Sequence, residues 1–556
     1  MKKRILAALV LAAMAASAMA SCNNNNGGSS AGGSTPASQG SSQSGGPSAG
    51  STLSPVGEYP LSSETQPLSI LMAPYYTVED YDTNALTLLA EEALNVEFEF
   101  VFLPSTDPDD KLAIMISSGE ELPDVVNHSM NMATCYRYAQ AGAFLPLNDY
   151  YETSSVYAKK NADDHPEFGI MEAITSPDGN IYTLYGFTKN NHDEMMYKLW
   201  INRTWLKDLE LEMPTTTAEF EAVLEAFKTR DPNSNGVADE IPLAGATGWS
   251  EDPTINLMNA FVFETGKTDR LIIGPDGKLS TTYLQPNYKE GLKYMHGLVE
   301  KGLLDPVTFT QDDSQLRAMV DDQEIAKVGV FAFSSITLLD VNTSKWIDDY
   351  APMPPLTGPD GTRNSSVTLI TAAPQWHVTK NARNPELAFR VGDWFANPEL
   401  WNTERYGVEG TDWEKNPEDP TGLVVNEIHN IWATDQNSHW HTSHPKYYYD
   451  EMTTFIPGYE EDHWRNRIRT AIAEYAKARP DDSEIIGNLV YTDEELDQIS
   501  EISSTLSTYV KECKTRFITG DMDIDGEWDA FQKELQNIGV EKLLEVSQNA
   551  WDRMHQ

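Results

Sequence analysis

The chain has 556 residues, with 85 Asp and Glu against 40 Lys and Arg, a formal net charge of −45. So acidic a polymer repels nucleic-acid phosphates and anionic lipid surfaces, which excludes a nucleic-acid partner. Three cysteines exclude a disulfide scaffold, and the length exceeds what one ordinary core organises, so at least two lobes are expected.

Lys2, Lys3 and Arg4 precede an apolar run from Ile5 to Met14 and then small residues ending Met19-Ala20-Ser21-Cys22. A charged start, a short apolar stretch and a small-residue cut mark a secretory signal over residues 1–21, too short to span a bilayer. A cysteine directly after the cut resembles a bacterial lipobox, with Met19 where leucine is usual. That reading puts a diacylglycerol on Cys22 and anchors the protein through its lipid to the extracellular face of the cell membrane. An ordinary signal followed by an incidental cysteine is the alternative. Residues 22–59 read as a linker. From Asn23 to about Ser54 it is almost only Asn, Gly, Ser, Pro, Ala and Gln, so it cannot bury a core and is expected to be disordered. As a flexible coil it would hold its ends roughly 30 Å apart.

The folded part opens with a buried strand over 68–73, followed by Tyr75 and Tyr76. A helix is expected over 84–94, an alternating strand over 96–102, a helix over 109–118 and a short strand over 122–126. This β-α-β-α-β order predicts a parallel sheet with helices on its faces. Ligands sit outside the carboxyl ends of such strands, which puts Tyr75, Tyr76, Asn127 and His128 on one rim. Pro-Asp-Gly turns follow at Pro177, Pro275 and Pro359. Thr216 and Glu219 form a capping box, and Phe220, Val223, Leu224 and Phe227 give the buried face of the helix it opens. A further amphipathic helix is expected over 384–395, and two helices broken at Gly539 over 527–554.

The strongest chemical motif is the loop from Asp231 to Glu240. Asp231, Asn233 and Asn235 occupy positions one, three and five, and Gly236 follows at six, as in the first half of an EF-hand calcium loop. A hard cation wants six to eight oxygens, and Val237 offers a backbone carbonyl. Pro242 stands at position twelve, where a bidentate Glu is usual, and Asp239 and Glu240 can replace it. The loop predicts a structural Ca2+ site with no helix-opening role; a polar turn after the helix is the alternative. Asp521, Asp523, Asp525 and Gly526 share the spacing but open a helix, whose dipole favours acids there. His439, His441 and His444, with His429 upstream, could hold zinc or copper, yet no cysteine or H-E-x-x-H joins them. They are expected as a surface loop of aromatics and histidines. Tyr75, Tyr76, Trp249, Trp413, Trp432 and Trp440 lie in turn-like contexts, where a flat ring matches the face of a sugar or simply packs in the core. No nucleophile elbow, phosphate loop, dinucleotide fingerprint or zincin helix is present.

Several stretches together resemble the bacterial extracellular solute-binding proteins of family 1: Leu122-Pro-Asp124, Gly142 to Asn148, Asp178 to Tyr182, Leu199 to Trp205, Pro214 to Thr216, Asp231 to Pro242, Asn384 to Glu386 and Gly407 to Gly410. Within the family the chain looks most like lipoproteins similar to aldouronate- and alginate-oligosaccharide-binding proteins. The resemblance implies a two-lobed, periplasmic-binding-protein-like (type 2) α/β fold with a hinge and ligand in the interlobe cleft. The lobes would comprise residues 60–180 plus 366–410, and 185–360 plus 411–556. It implies a non-enzymatic monomer that delivers an oligosaccharide, or another small solute such as a peptide, to the permease subunits of an ABC importer. Calcium would rest on Asp231, Asn233, Asn235, Val237, Asp239 and Glu240. Tyr75, Tyr76 and Asn127 would line one wall of the cleft, and Trp249 and Trp413 the other. A surface-anchored polysaccharide-degrading enzyme is the rival reading, and a wall adhesin a third.

Overall fold

A computed structural model describes residues 53–555, apart from 76–77, 106, 249, 267–269, 342, 423, 429–436, 441–443, 453 and 458–461. Cys22, the signal and most of the linker lie outside the described residues, as do Tyr76, Trp249, His429, Trp432 and His441. Within them no helix is long and apolar enough to cross a membrane.

β1 (Gln66–Met72), β2 (Val96–Phe102) and β3 (Val125–Asn127) run parallel. β1 reads as a continuous apolar run because it lies between the other two, with helices packed on both faces. β4 (Leu184–Lys189) follows, after which the chain leaves this sheet. It lays down β5 (Leu199–Asn202), β6 (Ile241–Ala244), a small hairpin of β7 (Leu271–Ile273) and β8 (Leu279–Thr281), then β9 (Val328–Ala332) and β10 (Tyr350–Met353). It returns as β11 (Ala373–Val378). β12 (Trp413–Lys415) and β13 (Val424–Glu427) begin a three-stranded patch, β14 (Lys446–Tyr449) rejoins the first sheet, and β15 (Thr454–Pro457) completes the patch.

The first sheet has the order β14-β4-β11-β3-β1-β2 and the second β10-β5-β9-β6. Each carries its own core. In the first lobe Leu68, Ile70 and Met72 pack with Leu86, Ala90, Phe389 and Trp440. In the second, Phe220, Leu224 and Phe227 lie beneath the capping box as expected, and pack with Leu292, Phe517, Phe531 and Leu543. The last three belong to helices Asp493–Thr519, Ile524–Ile538 and Val540–Met554, the latter pair broken at Gly539 with φ of 117°. That conformation suits glycine because a Cβ clashes there.

The expected lobe boundaries differ from this arrangement at two strands. Residues 185–189 and 446–449 were assigned by sequence to the second lobe, but β4 pairs β11 and β14 pairs β4 in the first sheet. Burial of Leu184, Tyr185 and Phe187 against the first core holds β4 there. The ordered body also begins before residue 60. Leu53 bridges Ser62, and the buried Arg390 guanidinium donates to the carbonyls of Ser54 and Pro55 at 2.7 and 3.0 Å.

Candidate functional site

Strand direction locates the site. β11 is antiparallel to both β3 and β4, so β1, β2, β3, β4 and β14 all end on one edge of the first sheet, where β11 begins. In the second sheet β9 and β10 are antiparallel to β5, and β6 is parallel to β9. β6, β9 and β10 therefore end on the edge where β5 begins. The chain crosses between lobes at residues 190–198 and 354–372, both of which join these two edges, and a third passage leaves β14 at Asp450 and enters the second lobe's packing at helix Trp464–Ala476. Each sheet thus presents its strand carboxyl ends, where ligands of open α/β sheets sit, to the same seam.

The crossings are tied together by polar groups. The buried Glu194 carboxylate takes Lys189 Nζ at 2.8 Å and Arg479 Nη2 at 3.2 Å, and accepts the Ile370 N–H at 3.4 Å. Its backbone carbonyl accepts the Thr368 N–H at 2.9 Å. Asn191 N–H donates to Asp450 Oδ2 at 2.8 Å, joining the first crossing to the third. Lys198, at the end of the first crossing, is fully buried and donates to the Met195 carbonyl; burial pushes its ammonium down to about 7. Burial, aided by the Lys198 charge, likewise pushes the His192 imidazole down to about 4.

On the first rim, Tyr75 is half-buried, and its N–H donates to the hydroxyl of buried Tyr81 at 3.0 Å. Asn127 ends β3 and is buried, its Oδ1 accepting from Gln375 Nε2 at 2.9 Å. The strand runs one residue further than the sequence suggests, so the side chain at the open rim is that of His128. Its Nε2 meets Asp109 Oδ1 at 2.5 Å. By sequence Asp109 was only the first residue of a helix over 109–118; the helix runs Pro108–Ser118 and Asp109 stands in its first turn. Phe102 was also missed. It is 47% exposed at the end of β2, with its ring stacked on Phe100, and the alternation of Phe98, Phe100 and Phe102 was the available signal. On the second lobe the segment leaving β6 is braced by Gln311 Nε2 donating to the Gly245 carbonyl at 2.6 Å. Trp413 is buried in β12, its Nε1 donating to the Gly407 carbonyl at 2.9 Å.

The loop 231–240 folds on itself. Asp231 accepts the N–H groups of Asn235 and Gly236 at 3.1 and 3.0 Å, and Asn233 and Asn235 accept those of Asn235 and Val237 at 3.1 and 2.6 Å. The Asn233 and Asn235 amides donate to Asp239 Oδ1. Glu240 Oε1 is buried with no hydrogen-bond partner, and burial, with Asp231 and Asp239 nearby, raises its carboxyl. Gly236 takes the positive φ of 75° that the turn demands.

The histidine segment requires a correction. His439, Trp440 and His444 are buried, so the described part is no surface loop. Trp440 Nε1 donates to Thr87 Oγ1 at 2.7 Å, and its ring packs against Phe98, Phe100 and Phe395. His444 Nε2 lies 2.8 Å from buried Glu404. Burial opposes charge on Glu404, but the His444 imidazole outweighs it and holds the carboxyl below its usual range. The segment fastens β14 to the first lobe. No cluster of three or more His, Cys, Asp or Glu suited to a metal occurs among the described residues.

Two α/β lobes meeting at facing strand edges, joined by three crossings, define the class of two-lobed solute receptors. Residues 77–400 match the bacterial extracellular solute-binding protein family, and the chain belongs to it. The fructooligosaccharide ABC transporter substrate-binding protein FusA of Streptococcus pneumoniae serotype 4 is 30% identical over 460 residues, 80% of this chain and 82% of its own. Lipoprotein LipO of Bacillus subtilis is 23% identical over 493 residues, 86% of this chain and 91% of its own. The structure of S. pneumoniae FusA in complex with kestose matches at a TM-score of 0.72 and 26% identity, covering 88% of this chain and 99% of that one. An EF-hand mutant of FusA in complex with fructo-nystose matches at 0.73 and 25%, with the same coverage.

Proposed function

We propose that this protein is the extracellular receptor of an ABC importer, which captures an oligosaccharide between its lobes and passes it unaltered to membrane permease subunits. The likeness to a fructooligosaccharide-binding protein across both lobes carries this reading. The physics suits it. A ligand that touches both strand edges only when they approach gains contacts in the closed state alone, and so shifts the open–closed equilibrium. Nothing in that cycle requires a bond to break, and the family and these relatives are binding proteins.

Three finer elements belong to the reading. Cys22 carries the lipid that holds the receptor beside its permease, as the lipobox-like sequence and the lipoprotein relative suggest. Tyr75 on the first rim and Trp249, on the segment leaving β6, contact the ligand as aromatic platforms. The loop 231–240 holds one calcium ion structurally. Its oxygens suit a hard cation, and the orphaned Glu240 oxygen lacks the positive partner that such an ion supplies. Asp231, Asn233, Asn235, Asp239 and Glu240 would hold the ion with the Val237 carbonyl.

The test is a thermal-shift screen of the calcium-loaded protein against kestose, fructo-nystose and uronate oligosaccharides, with chromatography of the recovered sugar. One sugar class raising the melting temperature and returning intact supports a receptor. Shortened sugar would assign the protein to the degrading enzymes.

A further inference from the structure

We propose that Asp109 and His128 form a polar clamp by which the first lobe grips two neighbouring hydroxyls of a neutral oligosaccharide, and that this clamp selects against uronate sugars. The inference rests on the receptor reading above and names the substrate class within it.

Both residues stand on fixed backbone at the seam. His128 N–H donates to the Gln375 carbonyl at 2.9 Å and Met130 N–H to that of Pro374 at 3.2 Å, continuing the β3–β11 ladder past its last paired residue. Asp109 lies in the first turn of helix Pro108–Ser118, where an acid is favoured by the helix dipole. The loop that delivers this helix leaves β2 at Leu103, whose N–H donates to the Met72 carbonyl of β1 at 2.9 Å. The histidine side chain is only 13% exposed and the aspartate 83%. The half-buried histidine therefore orients the exposed aspartate.

The chemistry follows from lone pairs. A carboxylate offers about four acceptor directions, and His128 Nε2–H uses one of them on Oδ1. The remaining directions, Oδ2 included, point away from that contact and suit two O–H donors. Vicinal sugar hydroxyls supply such a pair. The fixed imidazole spares Asp109 the entropy of finding its rotamer when ligand arrives. A uronate would set a second carboxylate beside it in an already acidic protein, and like charges in a closing cleft disfavour binding. His128 acts here as the positioning residue and Asp109 as the ligand contact.

Calorimetry on the full-length mature protein tests this with two probe sets: neutral oligosaccharides beginning with kestose, and a galacturonate trisaccharide. Wild type should bind a neutral sugar and not the galacturonate. Asp109→Asn should weaken the neutral sugar about tenfold to a hundredfold and narrow the gap to galacturonate, with an unchanged melting temperature. His128→Ala should cost affinity, and His128→Gln, which keeps an N–H donor at that reach, should restore most of it. A purely structural pair would instead lower the melting temperature and leave affinity alone. Folded Asp109→Asn with wild-type affinity overturns the clamp while leaving the receptor reading intact, and preferred binding of galacturonate by wild type does the same. Binding of no sugar by wild type overturns both.

Discussion

Residues 231–236 and 521–526 share one spacing, with an acid or amide at positions one, three and five and glycine at six, yet the fold uses them differently. In the second stretch every position is already employed. Asp523 caps helix Ile524–Ile538, accepting the Gly526 N–H at 2.9 Å. Asp525 is held by Lys293 at 2.8 Å and Lys289 at 2.9 Å, which draw its carboxyl down to about 2. Asp521 accepts the Thr519 hydroxyl at 2.9 Å. In the first stretch the oxygens turn onto their own loop, one Glu240 oxygen is orphaned, and nearby Lys327 is engaged by Asp322 at 2.8 Å. Spacing nominates a cation loop. Whether positive charge is already supplied by side chains separates a helix cap from a metal site.

The largest expected difference is thermal. Chelator should destabilise wild type by about 2.7 kcal/mol relative to free calcium at a hundred times Kd, and should leave Asp231→Ala unmoved. Calorimetric scans with and without chelator read this, and an Asp521→Ala variant that also lost the response would erase the distinction between the loops.

Protons sharpen it next. Burial first, then Asp231 and Asp239, raise the Glu240 carboxyl in the calcium-free protein. A raised carboxyl favours the fold at low pH, and that contribution is lost as pH rises through the folded value. Charged Glu240 therefore costs stability at neutral pH until a cation offsets it. Calcium affinity should fall as pH drops through the raised value, approaching tenfold per pH unit below it. Glu240→Gln should flatten that dependence while leaving the calcium-free fold at least as stable near neutral pH. A titration series whose slope is the same in both proteins would remove Glu240 from the site.

The second loop gives the small effects. Asp523→Ala should cost about 1 kcal/mol as a lost cap, equal with and without calcium. Exposed Asp525→Asn should leave stability almost unchanged. Urea midpoints in chelator and in calcium would measure both, and a calcium-dependent loss at Asp523 would mean that this loop, too, holds metal.

β1 and β2 of the first sheet and the capping box at Thr216 in the second lobe were legible because they are local patterns, readable within a dozen residues. The lobe boundary was not, since β4 and β14 join the first sheet through pairings across more than 180 and 250 residues, and nothing local to Lys446–Tyr449 names its partner. The burial of Trp440 and His444 was hidden for the same reason: Thr87 accepts from Trp440 Nε1 and Glu404 lies beside His444, and neither neighbour is local in sequence. At the rim, Asn127 and His128 were both expected beyond β3; the strand takes in Asn127 and buries its side chain, and His128 is left to reach Asp109. The 231–240 turn was readable because its Asp, Asn and Gly positions are contiguous and Gly236 takes the positive φ they demand; its calcium is the proposal that the chelator scans test.

Capture without chemistry is the central claim, and small-angle scattering of the full-length mature protein with and without its best-binding oligosaccharide, followed by chromatography of the same sample, tests it most directly. The account predicts a smaller radius of gyration with sugar present and a sugar recovered at its original length. An unchanged radius together with shortened sugar would contradict it.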